Sequence, residues 1–351
     1  MTSSKPDAAA GQLNAVFILD VSAYTGPLLS GWIQAGNRIG AIVVPGFRRP
    51  SRGFSVGNFR RRLRRRLLLR RYLGGTPVKL IEFSPPYDWD ELARQLPDIA
   101  ADVLICYAFA TLIPQQLLGL FPKGGLNLHP ALLPHYRGPH PLHRLVADGE
   151  HAIHGGVTLH KMSASFDEGD ILGQVPFGEA NWSSRRVMVD SVATAMRGLV
   201  SEVAPAYCRD QVSGMRQPTG DFVWARLERH HMAISSDMSI EHVARLWHVL
   251  GFDPGIYLRI ADRKVRLAFQ VKRLGPRTGK DPVRRWGRVE FDLVNGRVQF
   301  LVYGRLLKRL LKMHFRLARG SAANSAPEIR VFGKMDSEAT RTVKRGEAPG
   351  H

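Results

Sequence analysis

The chain has 351 residues and a formal charge of +20, with 44% hydrophobic content, which suits a two-domain soluble protein and not one small core. No apolar run approaches the roughly 18 residues of a membrane span, and the polar stretch 1–12 lacks a secretory layout and reads as disordered. Cys106 and Cys208 form neither a CxxC pair nor a disulfide framework, so a reducing, cytoplasmic setting is expected.

In chain order, residues 15–20 (AVFILD) form a short apolar run expected to be a buried strand. Leu28, Leu29, Trp32 and Ile33 follow at helical spacing, with Gly36 as the stop. Strands are expected at 39–44, 78–83, 102–107 and 125–129, with helices at 89–96 and 114–120 between them. A loop at 45–57 leads into a basic helix that Asn58 could cap. Strands and helices alternating at this rhythm predict an α/β, Rossmann-like parallel sheet with helices on both faces.

Beyond residue 150 the pattern changes. Residues 155–162 and 171–177 read as two strands able to pair, and 184–208 as one long helix. A polar linker at 213–220 separates residues 13–212 from a basic region, 221–319. There, a helix at 240–250 and strands at 257–260, 264–267, 288–293 and 298–303 predict a small β-barrel, OB-like in outline, followed by a basic helix at 306–317. Residues 320–351, rich in small and charged types, are expected to be disordered.

The charge is concentrated. Residues 60–71 hold eight arginines and no acid, and residues 223–319 hold 21 Lys and Arg against 8 Asp and Glu. Such surfaces suit RNA, a phosphorylated substrate or anionic lipid. The alternative is a solvated cationic face on a helix docked through Leu63, Leu67 and Leu68.

Asn127 and His129 lie two apart on an expected strand, so they share a face at its carboxyl end, where open parallel sheets bind ligands. Asp167 follows in a polar turn between two strands. An amide, an imidazole and a carboxylate suffice for acyl transfer to an amine: the amide stabilises an oxyanion, the imidazole handles protons, and the carboxylate orients the imidazole. No GxSxG motif is present, which favours direct transfer over an acyl-enzyme. The plain alternative is a set of loop hydrogen-bonders. His140 with His143, and His151 with His154, are spaced like metal ligands, but nothing in the sequence completes a set, and no metal is expected.

Two ordered blocks carry a resemblance: Gly125-Leu-Asn127-Leu-His129-Pro130, running on through Pro134 and Arg137 to Gly138-Pro139, and Gly156-Val157-Thr158-Leu159-His160 followed by Phe166-Asp167-Glu168-Gly169. Together they resemble the formyltetrahydrofolate-dependent formyltransferases, closely over roughly residues 100–180. The resemblance implies catalytic roles for Asn127, His129 and Asp167. It also implies 10-formyltetrahydrofolate as co-substrate, held along Tyr107, Phe109, Thr111, Leu112, Phe166 and Gly169. Arg137 is assigned to substrate or phosphate, and Arg61, Arg64 and Arg65 are the corresponding candidates on the basic helix, which lies where the methionyl-tRNA type carries an inserted basic loop.

There are departures. Asp20-Val21-Ser22 replaces the Gly-Thr-Pro loop of the methionyl-tRNA type, Ala131 replaces a common serine, and Ile234-Ser235-Ser236 lies near an expected Asp-Trp-Ser. They bear on the amine acceptor. A small biosynthetic amine such as an amino-sugar nucleotide is expected, with methionyl-tRNA as the alternative acceptor. A formyltetrahydrofolate hydrolase and a non-catalytic RNA-binding protein are the remaining readings.

Overall fold

The computed structural model describes residues 11–46, 56–251, 254–260, 263–285, 287–302, 329–332 and 340–343. Seven strands come first: β1 (Asn14–Leu19), β2 (Arg38–Pro45), β3 (Lys79–Phe83), β4 (Val103–Tyr107), β5 (Gly125–His129), β6 (Gly156–Lys161) and β7 (Ile171–Pro176). Among and after them lie α1 (Thr25–Gln34), α2 (Val56–Tyr72), α3 (Trp89–Arg94), α4 (Gln115–Leu118), α5 (Pro141–Ala147), α6 (His151–His154), α7 (Arg185–Gly198) and α8 (Ala204–Cys208). A π-helical turn, Leu199–Val203, joins α7 to α8, so the long helix expected at 184–208 is continuous but changes its winding.

Strands β3-β2-β1-β4-β5 are parallel neighbours, and the order reverses between β1 and β4. That reversal opens a crevice at the carboxyl ends of the strands. From β5 onward the sheet departs from the expected parallel pattern: β6 runs antiparallel to β5 and β7 antiparallel to β6, and only residues 162–170 lie between β6 and β7, too few for a crossover helix between that pair.

Alternation along β1 sorts the two faces. Val16 and Ile18 join Ala41, Val43, Leu104 and Cys106 beneath Leu92 of α3 and Leu117 and Leu118 of α4. Ala15, Phe17 and Leu19 join Leu28, Leu29 and Trp32 of α1 and Val192 and Met196 of α7. Both faces are covered, so the strand reads as one apolar run. Helix α2 docks through buried Leu69 and through Tyr72, whose ring lies against Gly26.

The second region begins with β8 (Ala233–Ile234) and α9 (Ile240–Leu250), which Ser239 caps by accepting from the His242 N–H. Then come β9 (Tyr257–Ile260), β10 (Arg263–Gly275), β11 (Val283–Arg285), β12 (Arg288–Leu293) and β13 (Gly296–Val302). Among the described residues the expected barrel is not closed, and these strands make a six-stranded sheet, β11-β12-β13-β10-β9-β8, with β11 and β8 at opposite edges. The long β10 pairs with β9 through its first residues and with β13 through the rest, with register shifts along the second ladder. It therefore bends the sheet, but the two-residue β8 offers too little edge to close it.

Two stretches of the tail that composition assigned to disorder are strands: β14 (Ile329–Phe332) and β15 (Thr340–Val343). Strand β14 pairs with β7 at Val331 opposite Gly173 and Arg330 opposite Gln174, and β15 pairs with β14. An uncovered β7 would present unpaired backbone groups, and Ile329 buries its side chain in the main core. The expected basic helix at 306–317, residues 1–10 of the N-terminal stretch, and most of the loop at 45–57 lie outside the described residues.

Trp32 is fully buried, with its ring edge-on to Phe17 and its indole N–H donating to the Arg38 carbonyl at 2.7 Å. Trp32→Ala is expected to cost about 3–5 kcal/mol in denaturant-induced unfolding, the range for emptying a buried aromatic site.

Candidate active site

Leu126 and Leu128 of β5 point into the main core, so Asn127 and His129 project from the opposite face, as their spacing requires. Register aligns three polar or sulfur side chains across the sheet, with Cys106 opposite Asn127 and Asn127 opposite His160. Asp167 reaches this row from the loop between β6 and β7, held in the left-handed region at φ 57°. Its side chain is only 9% exposed.

Four groups surround that carboxylate. Asn127 Nδ2 donates to Oδ1 at 3.1 Å, and the Gly138 N–H donates to Oδ2 at 2.9 Å. His129 Nδ1 lies 3.5 Å from Oδ2, and His160 Nε2 lies 3.5 Å from Oδ1. Burial alone would raise the Asp167 carboxyl, but His129 beside it, reinforced by His160, holds it well below the usual carboxylate range. Gly138 has to be glycine: its φ is 113°, and a Cβ would lie 3.0 Å from the Trp224 ring.

The ring protons follow from their partners. His129 Nε2 is 2.8 Å from the Tyr136 carbonyl, which can only accept, so Nε2 carries a proton. Nδ1, 3.5 Å from Asp167, is too far for a full hydrogen bond and stays open to a partner in the cleft, as an acceptor in the neutral ring and as a donor once the ring holds a second proton. His160 Nδ1 donates to the Lys161 carbonyl at 2.8 Å, which leaves Nε2 to accept from Asn127 Nδ2 at 3.1 Å when the ring is neutral. His160 belongs to the second sequence block, yet the sequence reading assigns it no role. Counting two from Thr158 along the strand would have placed it on the same face as the trio's junction.

A cleft of about 490 Å³ opens on this junction, within the range of small-molecule sites. Of the residues expected to hold the co-substrate, Tyr107, Phe109, Leu112 and Phe166 line it. Thr111 and Gly169 do not. Gly169 instead borders a second cleft with Arg137, Lys161 and Arg216, and a Cβ there would overlap the Lys161 carbonyl. Arg137 is turned away from the trio, donating to Gln217 Oε1 at 2.8 Å and pairing with Glu168 at 3.3 Å. Gln217 in turn donates to the carbonyls of Asp167 and Gly169, tying the 213–226 segment to the Asp167 loop, a tie that no local sequence pattern signals.

The helix α2 arginines stand apart from the cleft. Arg65 pairs with Asp20 at 2.8 Å and also donates to the Pro45 carbonyl, and Arg62 pairs with Glu82 at 3.0 Å. Arg64 is exposed, and the side chain of Arg61 lies outside the described residues. Tyr24, Arg185 and Met188 also line the cleft. Burial, opposed by Arg185, pushes the Tyr24 phenol up to about 12, so it presents a neutral hydroxyl. Burial likewise pushes the Cys106 thiol up to about 12, which makes it a poor nucleophile. Among the described residues no group of three or more His, Cys, Asp or Glu is arranged to hold a metal ion, and no helix is long and apolar enough to cross a membrane.

Comparison with known proteins adds three findings. Residues 82–181 match the family model described as formyl transferase. A methionyl-tRNA formyltransferase from Chromobacterium violaceum is 26% identical over 178 residues, 50% of this chain and 57% of that protein. The chain spans about half the length of the curated relatives it matches. In fold it resembles HypX from Aquifex aeolicus in complex with tetrahydrofolic acid (TM-score 0.56, 16% identity, 81% of this chain and 43% of that one). It also resembles an N-formyltransferase from Helicobacter canadensis in complex with folinic acid and dTDP-3-aminofucose (TM-score 0.52, 14% identity, 82% of this chain and 99% of that one).

A carboxyl depressed on folding stabilises the fold above its unfolded value, about 3.9 for Asp, and loses that contribution as pH falls through the lower folded value. Asp167→Asn should therefore unfold more easily than wild type at neutral pH, and the gap should shrink only in strong acid. Urea titrations at several pH values check this; a gap that closed already at pH 5 would contradict it.

Proposed function

We propose, from the match of residues 82–181 to the formyl transferase family model, that the chain transfers the formyl group of 10-formyltetrahydrofolate to a primary amine. The observation that carries the reading is the junction itself: amide, imidazole and ionised carboxylate meet at the floor of a cleft walled by Tyr107, Phe109 and Phe166. Aromatic walls suit a co-substrate that carries flat pyrimidine and aryl rings.

The amine nitrogen adds to the formyl carbon, whose oxygen becomes an oxyanion. His129 Nδ1, which Asp167 faces at 3.5 Å, donates to that oxygen, and the Asn127 amide turns from its resting partners to supply the second donor. The bond from carbon to N10 then breaks, and the proton shed by the amine ends on N10. Asp167 keeps His129 oriented, and the ring acts in its doubly protonated form, with Nε2 on the Tyr136 carbonyl and Nδ1 toward the formyl oxygen. His160 positions Asn127 through the 3.1 Å contact. Cys106, held as a neutral thiol, takes no part as a nucleophile.

A small amine, such as that of an amino-sugar nucleotide, is the acceptor this reading favours. The segment after β1 brings Tyr24 into the cleft, where its ring packs edge-on against Tyr107. A phenol there offers a neutral hydroxyl for a sugar or amine group. The observation on the side of methionyl-tRNA is α2, whose Arg64, Arg66, Arg70 and Arg71 are all exposed on one continuous helix. Arg62 and Arg65 of the same helix pair with Glu82 and Asp20.

Asn127→Ala, His129→Ala and Asp167→Asn should each lower formyl transfer by about 100-fold or more, the usual cost of removing an oxyanion donor or its support. Near-normal turnover in all three would remove the assignment.

The two acceptors separate by salt. If tRNA is the acceptor, replacing Arg64, Arg66, Arg70 and Arg71 with Gln lowers the slope of log affinity against log salt by about 0.9 for each phosphate left without its arginine. A small phosphorylated amine leaves that slope nearly unchanged. Filter binding of initiator tRNA across a salt series decides it, and an absence of saturable binding at low salt excludes the tRNA acceptor.

A further inference from the structure

Helix α2 has two different sides. Leu69 is buried and the Tyr72 ring packs against Gly26, which docks one side on the first domain. Successive helical residues turn by about 100°, so the opposite side reads, around the helix, Arg66, Arg70, Leu63, Leu67, Arg71, Arg64. All six are exposed, with the two leucines at 48% and 57%. A lone exposed leucine is ordinary. Here two stand on adjacent turns at the centre of the outward face, with a pair of arginines on each flank. No acid lies within the helix, and Glu82 and Asp20 pair with Arg62 and Arg65, outside this strip. The outward face is therefore apolar along its midline and cationic along both borders.

That layout selects the kind of partner. An RNA backbone is held by contact between cations and phosphates, to which leucines set between the cations add nothing. An anionic bilayer uses both kinds of side chain. Leucines enter the boundary between headgroups and acyl chains, while arginine stems lie along them and lift the guanidinium groups to the lipid phosphates. Charge supplies the attraction and the leucines supply the contact, and either signal alone binds weakly. We propose that α2 is an interfacial anchor that lays this strip on an anionic lipid surface, with Leu63 and Leu67 inserted and the four flanking arginines on headgroup phosphates. The helix lies in the plane of that surface and spans nothing. The anchor is independent of formyl transfer and holds the domain reversibly at a membrane face.

The test is sedimentation of the full chain with vesicles of phosphatidylglycerol and phosphatidylcholine in equal parts, against vesicles of phosphatidylcholine alone. Wild type should pellet with the anionic vesicles only, and less so as salt rises. Replacing Arg64, Arg66, Arg70 and Arg71 together with Gln should lower partitioning by about a hundredfold. Leu63→Gln combined with Leu67→Gln should lower it by about tenfold, with thermal unfolding close to wild type because both side chains are exposed. Leu67→Trp gives a direct reading: its emission should shift to the blue on anionic vesicles, beyond any shift of the wild type. Failure of wild type to sediment with anionic vesicles would overturn the proposal. Undiminished binding by the double-leucine variant, or an unshifted Leu67→Trp, would overturn it too, since either leaves the leucines in water. Saturable RNA binding that depends on the four arginines, without vesicle binding, would overturn it and assign the strip to nucleic acid.

Discussion

Asp167 is a carboxylate almost without water, and a charge in that position is tolerable only when its partners are complete. Those partners come from separate pieces of chain: Asn127 and His129 from β5, His160 from β6, and the Gly138 N–H from the loop after β5. None reaches the carboxylate unless β5 and β6 pair in the observed register, which sets Asn127 opposite His160, and unless Gly138 turns through a conformation open to glycine. The site is thus assembled by the same contacts that set the sheet's order. Removing one partner leaves a buried charge short of compensation and weakens the scaffold along with the chemistry.

The excess positive charge is divided according to how it is held. On α2, Arg65 is partly buried against Asp20, and Arg62, itself exposed, pairs with Glu82, which helps fasten a helix of poor apolar character to the sheet. The outward arginines carry the field into solvent, where ionic strength screens it beyond about 10 Å. The cleft itself relies on hydrogen bonds and a few buried groups. Long-range attraction and chemistry are therefore handled by different surfaces of one domain.

Much of this was legible in the sequence because it follows from period. The buried runs of β1, β2 and β4, and the span of β5, follow from apolar content bounded by turns, and the shared face of Asn127 and His129 follows from a spacing of two. The antiparallel half of the sheet was less legible, since pairing direction depends on how the connections pack and not on strand composition. His160 escaped because a lone histidine in an apolar strand looks like a core residue until its cross-strand neighbour is known. Gln217 and Trp224 act across long separations in the chain, with no local periodicity to mark them. Among the described residues the expected barrel does not close, since strand count and turn signals do not specify closure, which depends on edge length and bend.

The pairing of β14 with β7 has a consequence for how the molecule comes into being. The sheet that carries Asn127 and His160 is completed by a segment synthesised after the whole second sheet. During synthesis the β7 edge stays open until that segment emerges, so the nascent first domain exposes a strand able to recruit another chain. Cutting the chain at the linker would leave the same edge unguarded. The two sheets are successive in sequence but not independent as folding units, and a chaperone or rapid docking of the final strand would have the most to protect at that edge.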